Sequence, residues 1–232
     1  MNAITATNPP PAPRTPRAKA SGNVKATRED WLATAHAVLV SGGVGEVKVL
    51  TLSSRLGVSR SSFYWYFKSR EDLLDALLAR WEGRNTGAIL TACTRPSKTI
   101  TEAVCNLFRG FLDVDQFDPR LDFAVREWAR RSATVRSVID RSDTRRIEAI
   151  AGLFLAHGFA DAEADIRARV LYFQQIGYYA LELREPFETR LARVPDYLHA
   201  FTGTRPNAEE VEALADDVRR AIKQTETART NQ

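Results

Sequence analysis

Between Thr51 and Leu74 an apolar-patterned stretch ends at Leu56, Gly57 and Val58 follow, and a second short stretch carries Arg60, Ser61, Ser62, Tyr64, Trp65 and Tyr66. Few local patterns restrict a fold so tightly. A glycine between two short helical segments takes the positive φ of a tight turn without strain at Cβ. Leu52, Leu56, Val58 and Phe63 form an apolar set that would lock two helices at a fixed angle, and Ser59 is placed to cap the second. That is the pattern of a helix-turn-helix, whose second helix enters the major groove of DNA. Arg60, Ser61 and Ser62 fall in its first turn, where Arg60 has the reach to grip guanine O6 and N7, worth ~1–3 kcal/mol of discrimination. Tyr64, Trp65 and Tyr66 follow, with polar tips suited to phosphates and rings suited to the backbone sugars.

The run from Phe63 to Leu74, with its Tyr64-Trp65 pair, Lys68 and the Leu73-Leu74 pair, resembles the recognition-helix signature of the tetracycline-repressor (TetR-type) family of one-component bacterial regulators. The resemblance spans roughly residues 27–80; beyond that it implies architecture only. It implies an all-α fold, a three-helix DNA-binding head followed by a larger helical body that binds a small molecule and dimerises. Combined with the motif, it gives an expected DNA-binding set of Lys48, Leu50, Thr51, Ser59, Arg60, Ser61, Ser62, Tyr64, Trp65, Tyr66, Lys68 and Arg70. One position departs from the family pattern. Leu50 stands where a polar or basic base-reading residue often sits; it can touch a thymine methyl but carries no hydrogen-bond code.

The net charge of +4 is too modest to argue for nucleic acid, but its placement says more. Residues 1–28 contain Arg14, Arg17, Lys19, Lys25 and Arg28 and no Asp or Glu. Such an arm beside a DNA-reading head suits phosphate or minor-groove contact; the alternative is a solvated, uninvolved tail. Its first part is rich in Pro, Ala and Thr with almost no large apolar residues, which leaves too little surface to bury for ordering. It has no continuous apolar run of the kind found in a secretory signal, and no segment offers the ~18 apolar residues that span a bilayer. The expected organisation is a disordered basic arm over 1–23, a helix-turn-helix domain over 24–68 and a ligand-binding and dimerisation domain over 69–232, in the cytoplasm and without membrane contact.

Helix signals are plentiful and strand signals absent. Thr27 to Asp30 reads as a capping box opening a helix with Trp31, Leu32, Ala35, Val38 and Leu39 on one face, closed by Gly42-Gly43. Further helices are expected over about 49–56 and 60–66. Ser69 to Asp72 opens another, 69–92, which would link head to body. Asp118-Pro119 starts a helix carrying Phe123 and Trp128, and long patterns follow over 134–157, 162–184 and 207–224. The second half of 162–184 is apolar on nearly every side. A central core helix would look like this, and so would one packed against its own body and a partner subunit. The homodimer is expected through this helix and a C-terminal helix, with Gly177 allowing close approach, because a helix-turn-helix head usually needs two half-sites.

Most body aromatics are expected in the core. A ligand pocket is mostly apolar with a few placed polar groups, so the candidates for an unknown small molecule are Phe108, Phe111, Phe123, Arg126, Glu127, Trp128, Phe154, Tyr172, Gln175 and Tyr179. His36, His157 and His199 are scattered, and Cys93 and Cys105 are too few for a metal cage, so neither metal nor cofactor is expected. Gly42 to Gly45 follows a helix rather than a strand and reads as a turn, and the arginines of 141–146 read as a solvated face. The expected function is a homodimeric repressor released from double-stranded operator DNA by a small molecule. An activator or corepressor-type regulator remains open. Two rivals come from other classes: an architectural or interaction protein without ligand control, and an all-helical enzyme. For the enzyme no nucleophile, base and orienting group come together in the sequence.

Overall fold

The computed structural model describes residues 26–113, 115–183 and 185–230. Among them there is no strand. The α-helices are α1 (Arg28–Gly42), α2 (Val49–Leu56), α3 (Arg70–Trp81), α4 (Gly87–Cys93), α5 (Ile100–Leu112), α6 (Pro119–Ala129), α7 (Ala133–Ala156), α8 (Asp161–Ala180), α9 (Phe187–Ala192), α10 (Val194–Thr202) and α11 (Ala208–Thr230). The fold is all-α, with a helix-turn-helix head on a larger helical body. The basic arm over residues 1–23 lies outside the described residues. No helix among those described is long and apolar enough to cross a membrane.

Helix starts fall where the caps are. Thr27 and Asp30 form a reciprocal capping box at α1, Ser69 accepts the Asp72 N–H at 3.2 Å, and Asp118 accepts the Leu121 N–H at 3.0 Å ahead of Pro119. Gly57 ends α2 at φ 66°, and the Val58 N–H reaches back to the Ser53 carbonyl at 3.1 Å, closing the turn.

The structure departs from the sequence-based expectations in four places. The 60–66 helix is a tighter 3-10 helix, Arg60–Trp65, and Ser59 does not cap it through its side chain. Instead the Ser59 carbonyl takes the Ser62 hydroxyl at 2.7 Å. The 69–92 helix is a rod with a wide π turn at Glu82–Thr86 between α3 and α4. The 162–184 helix stops at Ala180, because Glu182 takes a positive φ of 47° that a helix does not permit. Finally, the arginines of 141–146 are not one solvated face. Arg141 and Arg145 are exposed, but Arg146 is fully buried, since α7 turns it inward between Ser142 and Ile150.

Two hydrophobic clusters carry the packing. The first holds the head through Trp31, Leu52, Phe63, Phe67 and Leu73, then runs along α3 into Leu121, Val125, Val135 and Ile139 of the body. The second fills the body with Ile89, Val104, Leu107, Phe154, Leu171 and Leu198. There α4 and α5 touch so closely that a Cβ at Gly110 would lie 2.8 Å from the Ala92 Cβ, which requires glycine. On α8, Leu171, Tyr172 and Gln175 face inward, whereas Ile166, Val170 and Phe173 are more than half exposed in the single chain. The expectation of a helix dry on both sides therefore holds for one side of one chain only.

Candidate functional site

The head turns one face inward and one outward. Inward, Phe63 meets Trp31 edge-on at 5.2 Å and stacks on Phe67 at 5.4 Å, beneath Leu52. Outward stand Leu50, Tyr64 and Trp65, exposed by 61%, 61% and 69%, together with Arg55, Ser59, Arg60, Ser61 and Lys68. Two large aromatic rings left in water beside cations mark a surface meant to be covered. From Val47 to Arg70 the chain has Lys48, Arg55, Arg60, Lys68 and Arg70 and no Asp or Glu, so the face is cationic throughout. That acid-free run is the signal that adds Arg55, an outward residue in the last turn of α2, to the expected set.

The other expected DNA-binding residues are placed less uniformly. Thr51 and Tyr66 are half-buried, and Lys48 is exposed but lies 3.2 Å from Glu46. Ser62 is buried on the Ser59 carbonyl. Arg70 reaches back into the head, its Nε donating to the Val47 carbonyl at 2.6 Å and Nη2 to the Val44 carbonyl at 2.7 Å. It ties the start of α3 to the loop that delivers α2.

Head and body meet through a buried ionic junction. Asp122 accepts from Trp81 Nε1 at 2.9 Å, from Arg126 Nε at 2.9 Å and from both terminal nitrogens of Arg146 at 3.1 Å. Arg126 grips Asp143 with two bonds of 2.9 and 2.8 Å, and Tyr172 donates to the same carboxylate at 2.6 Å. Arg146 Nε donates to Thr86 in the π turn at 3.0 Å. Burial alone would raise the Asp122 carboxyl, but the charges of Arg146 and Arg126 outweigh it and hold the group below the usual carboxylate range. A second tie joins His36 of α1 to the cap residue Asp118 at 2.9 Å, and Asn85 of the π turn bonds both backbone groups of Asp118.

Beside this junction lies an open cleft of about 990 Å³, walled by the end of α1 through Val44, by α6 and by the end of α8. Of the ten ligand candidates, Phe123, Glu127, Trp128 and Tyr179 line it. Phe111 and Phe154 are core residues, Phe108 packs against that core, Gln175 is buried on α8, and Arg126 and Tyr172 are absorbed by the ionic junction. Sequence reasoning passed over Arg120, Arg131 and Arg190, which also line the cleft. Spacing was the available signal, because Arg120, Phe123, Glu127 and Arg131 share one helical face. Burial pushes the Cys93 and Cys105 thiols up to about 12, so neither is a reactive thiolate at neutral pH.

An exposed cationic helix-turn-helix on an all-helical body has the architecture of a DNA-reading head. Residues 32–77 match the bacterial regulatory proteins of the tetR family. The HTH-type transcriptional regulator EthR of Mycolicibacterium smegmatis is 30% identical over 104 residues, 42% of this chain and 48% of that protein, so the chain spans about half the length of this curated relative. The ketosteroid transcriptional regulator KstR2 of Mycobacterium tuberculosis superposes with a TM-score of 0.59 at 18% identity, over 81% of this chain and 98% of that one. Reduced NemR of Escherichia coli gives 0.55 at 19% identity, over 78% and 99%. These two structures bear on the fold. The likeness to the tetR family is thus carried by the helix-turn-helix segment, residues 32–77, and the rest of the chain shares the fold of the two solved regulators.

Proposed function

We propose that this protein is a tetR-type transcriptional regulator, a homodimeric repressor whose hold on operator DNA is released by a small molecule. The observation that carries the reading is the recognition face: Ser59, Arg60, Ser61, Tyr64 and Trp65 point outward while Phe63 and Phe67 anchor the segment from behind. The dimer reading rests on the exposed Ile166, Val170 and Phe173 of α8. A second copy covering that stripe would set two heads at half-sites ~34 Å apart, one turn of DNA. Release follows only if the ligand favours a head spacing that DNA does not, because a ligand shifts an equilibrium by its difference in affinity between states.

Fluorescence anisotropy on an operator selected from random duplexes tests the reading. Arg60→Ala is expected to relax preference at one base pair per half-site, by ~1–3 kcal/mol; an unchanged preference removes Arg60 from base reading. Gly177→Glu tests the dimer. A Cβ at Gly177 meets nothing within 4 Å in the single chain, so the variant should fold yet sediment as a monomer. A Gly177→Glu protein that stays dimeric places the interface elsewhere.

A further inference from the structure

The cleft at the head–body seam has a charge pattern that its aromatic lining does not require. Four arginines, Arg120, Arg130, Arg131 and Arg190, face two glutamates, Glu127 and Glu182. Arg130 is neutralised by Glu127 at 3.1 Å. Arg130 and Arg131 sit at the C-terminal end of α6, where the helix dipole favours cations. Arg120 is different. It lies in the first turn of α6, at the positive end of the dipole, where a cation is disfavoured. It has no carboxylate partner among the described residues.

Arg190 belongs to the same end of the cleft. Its guanidinium lies 4.3 Å over the Tyr178 ring, and the neighbouring Tyr179 stacks at 5.7 Å on Phe117, just ahead of α6. Arg131, eleven residues along the helix from Arg120, is ~16 Å away at the usual helical rise. Between these ends lie Phe123, 38% exposed, and Trp128. One end is thus cationic and partly unpaired, and an apolar strip leads from it. The wall there also holds Glu182, whose positive φ stands alone among the described non-glycine residues, the kind of backbone strain that gathers at functional sites.

We propose that the cleft binds an amphipathic carboxylate, with the anion between Arg120 and Arg190 and an aryl or alkyl body along Phe123 toward Trp128. Arginine holds carboxylates through paired, charge-assisted bonds, and a mostly apolar wall supplies the remaining affinity. The cleft also touches the Gly42–Val44 turn, whose Val44 carbonyl is held by Arg70 at 2.7 Å. An occupant would therefore press on the loop that positions α2. This inference rests on the ligand-control reading above and gives it a site and a chemical class.

The test is calorimetry with naphthaleneacetate, its uncharged amide, and decanoate. Both anions are expected to bind saturably, and naphthaleneacetate at least tenfold more tightly than the amide. Arg120→Gln and Arg190→Gln should each remove most of that ratio, and Arg131→Gln should leave it within twofold. Glu182→Gln should tighten the anions. Absence of saturable binding by both anions, equal binding of acid and amide, or indifference to Arg120→Gln and Arg190→Gln in folded protein overturns the proposal. Operator anisotropy separates the two readings. Arginine-dependent anion binding that leaves DNA affinity unchanged keeps the cleft and removes ligand control. Release of DNA by these anions that is insensitive to both arginine variants keeps ligand control and removes this site.

Discussion

The head interior and the head–body junction are both dry, yet they are held by different forces. In the head, Trp31, Leu52, Phe63 and Phe67 pack hydrocarbon on hydrocarbon, with rings edge-on and stacked. Such packing is non-directional and tolerates replacement by side chains of similar volume. At the junction, Asp122 is surrounded by Trp81, Arg126 and Arg146, and each partner contributes a directional bond. A buried ion pair adds little net stability over a well-packed apolar pair, but losing one partner is heavily penalised. The head is thus held by packing that tolerates similar side chains, and the junction by bonds that accept one arrangement of α3, α6 and α7.

The sharpest way to break that contrast is Asp122→Ala. It strands the fully buried Arg146 and is expected to cost ~3–5 kcal/mol by chemical denaturation. The double variant Asp122→Leu with Arg146→Met should lose far less, and a double variant as damaged as the single would mean that the pair itself is stabilising. The same carboxylate carries a pH signature. Its folded pKa lies below the unfolded value of 3.8, so its contribution is complete above that value and is lost as pH falls toward the folded pKa. Asp122→Asn should flatten the acid limb of the stability profile. An unchanged limb would assign acid sensitivity to other groups.

Arg70→Ala comes next, at ~1–2 kcal/mol, because it leaves two carbonyls without charged donors on a partly exposed side chain. It should weaken DNA binding through α2 placement, visible as greater amide exchange around Val44 and Val47. If exchange there is unaltered while binding to all DNA weakens alike, Arg70 acts on phosphate instead. Phe63→Leu, inside the head, should cost under ~1.5 kcal/mol and leave operator affinity within a few-fold. A loss as large as that of Asp122→Ala would erase the distinction between the two interiors. The smallest effect is expected of Thr27→Ala, which removes the capping box of α1 and should cost ~1 kcal/mol in thermal unfolding.

What the sequence made legible was local. The bounds of α2 follow from the apolar spacing and Gly57, and the starts of α1, α3 and α6 follow from caps a few residues long. The outward set of the head was legible for the same reason, because the turn fixes which side of a short helix is free. What was not legible depends on partners distant in sequence. Arg146 looked solvated beside Arg141 and Arg145, although it occupies the core spacing of Val135, Ile139, Ser142 and Ile150. Only Asp122 makes that position tenable for a charge. The candidate pocket failed in the same way. Phe111 and Phe154 resemble Phe123 in the sequence, and only the packing of α6 against the end of α8 separates core rings from a cleft wall.

The π turn at Glu82–Thr86 gives the rod an unusual relation to rotation. Successive residues of a regular helix are set ~100° apart, and a π turn accommodates one extra residue within a helix. Leu77, Leu78 and Trp81 before it face the head cluster, and Ala88, Ile89 and Ala92 after it face the body cluster. The two ends are therefore out of step by about one residue's turn, and that offset lets a single rod serve two cores. Its angular phase is held by Asn85 and Thr86, which are pinned from α6 and α7. Shortening this segment by a single residue would swing one end through ~100° against the other. One of the two cores would then face the wrong way, although no apolar residue had been removed.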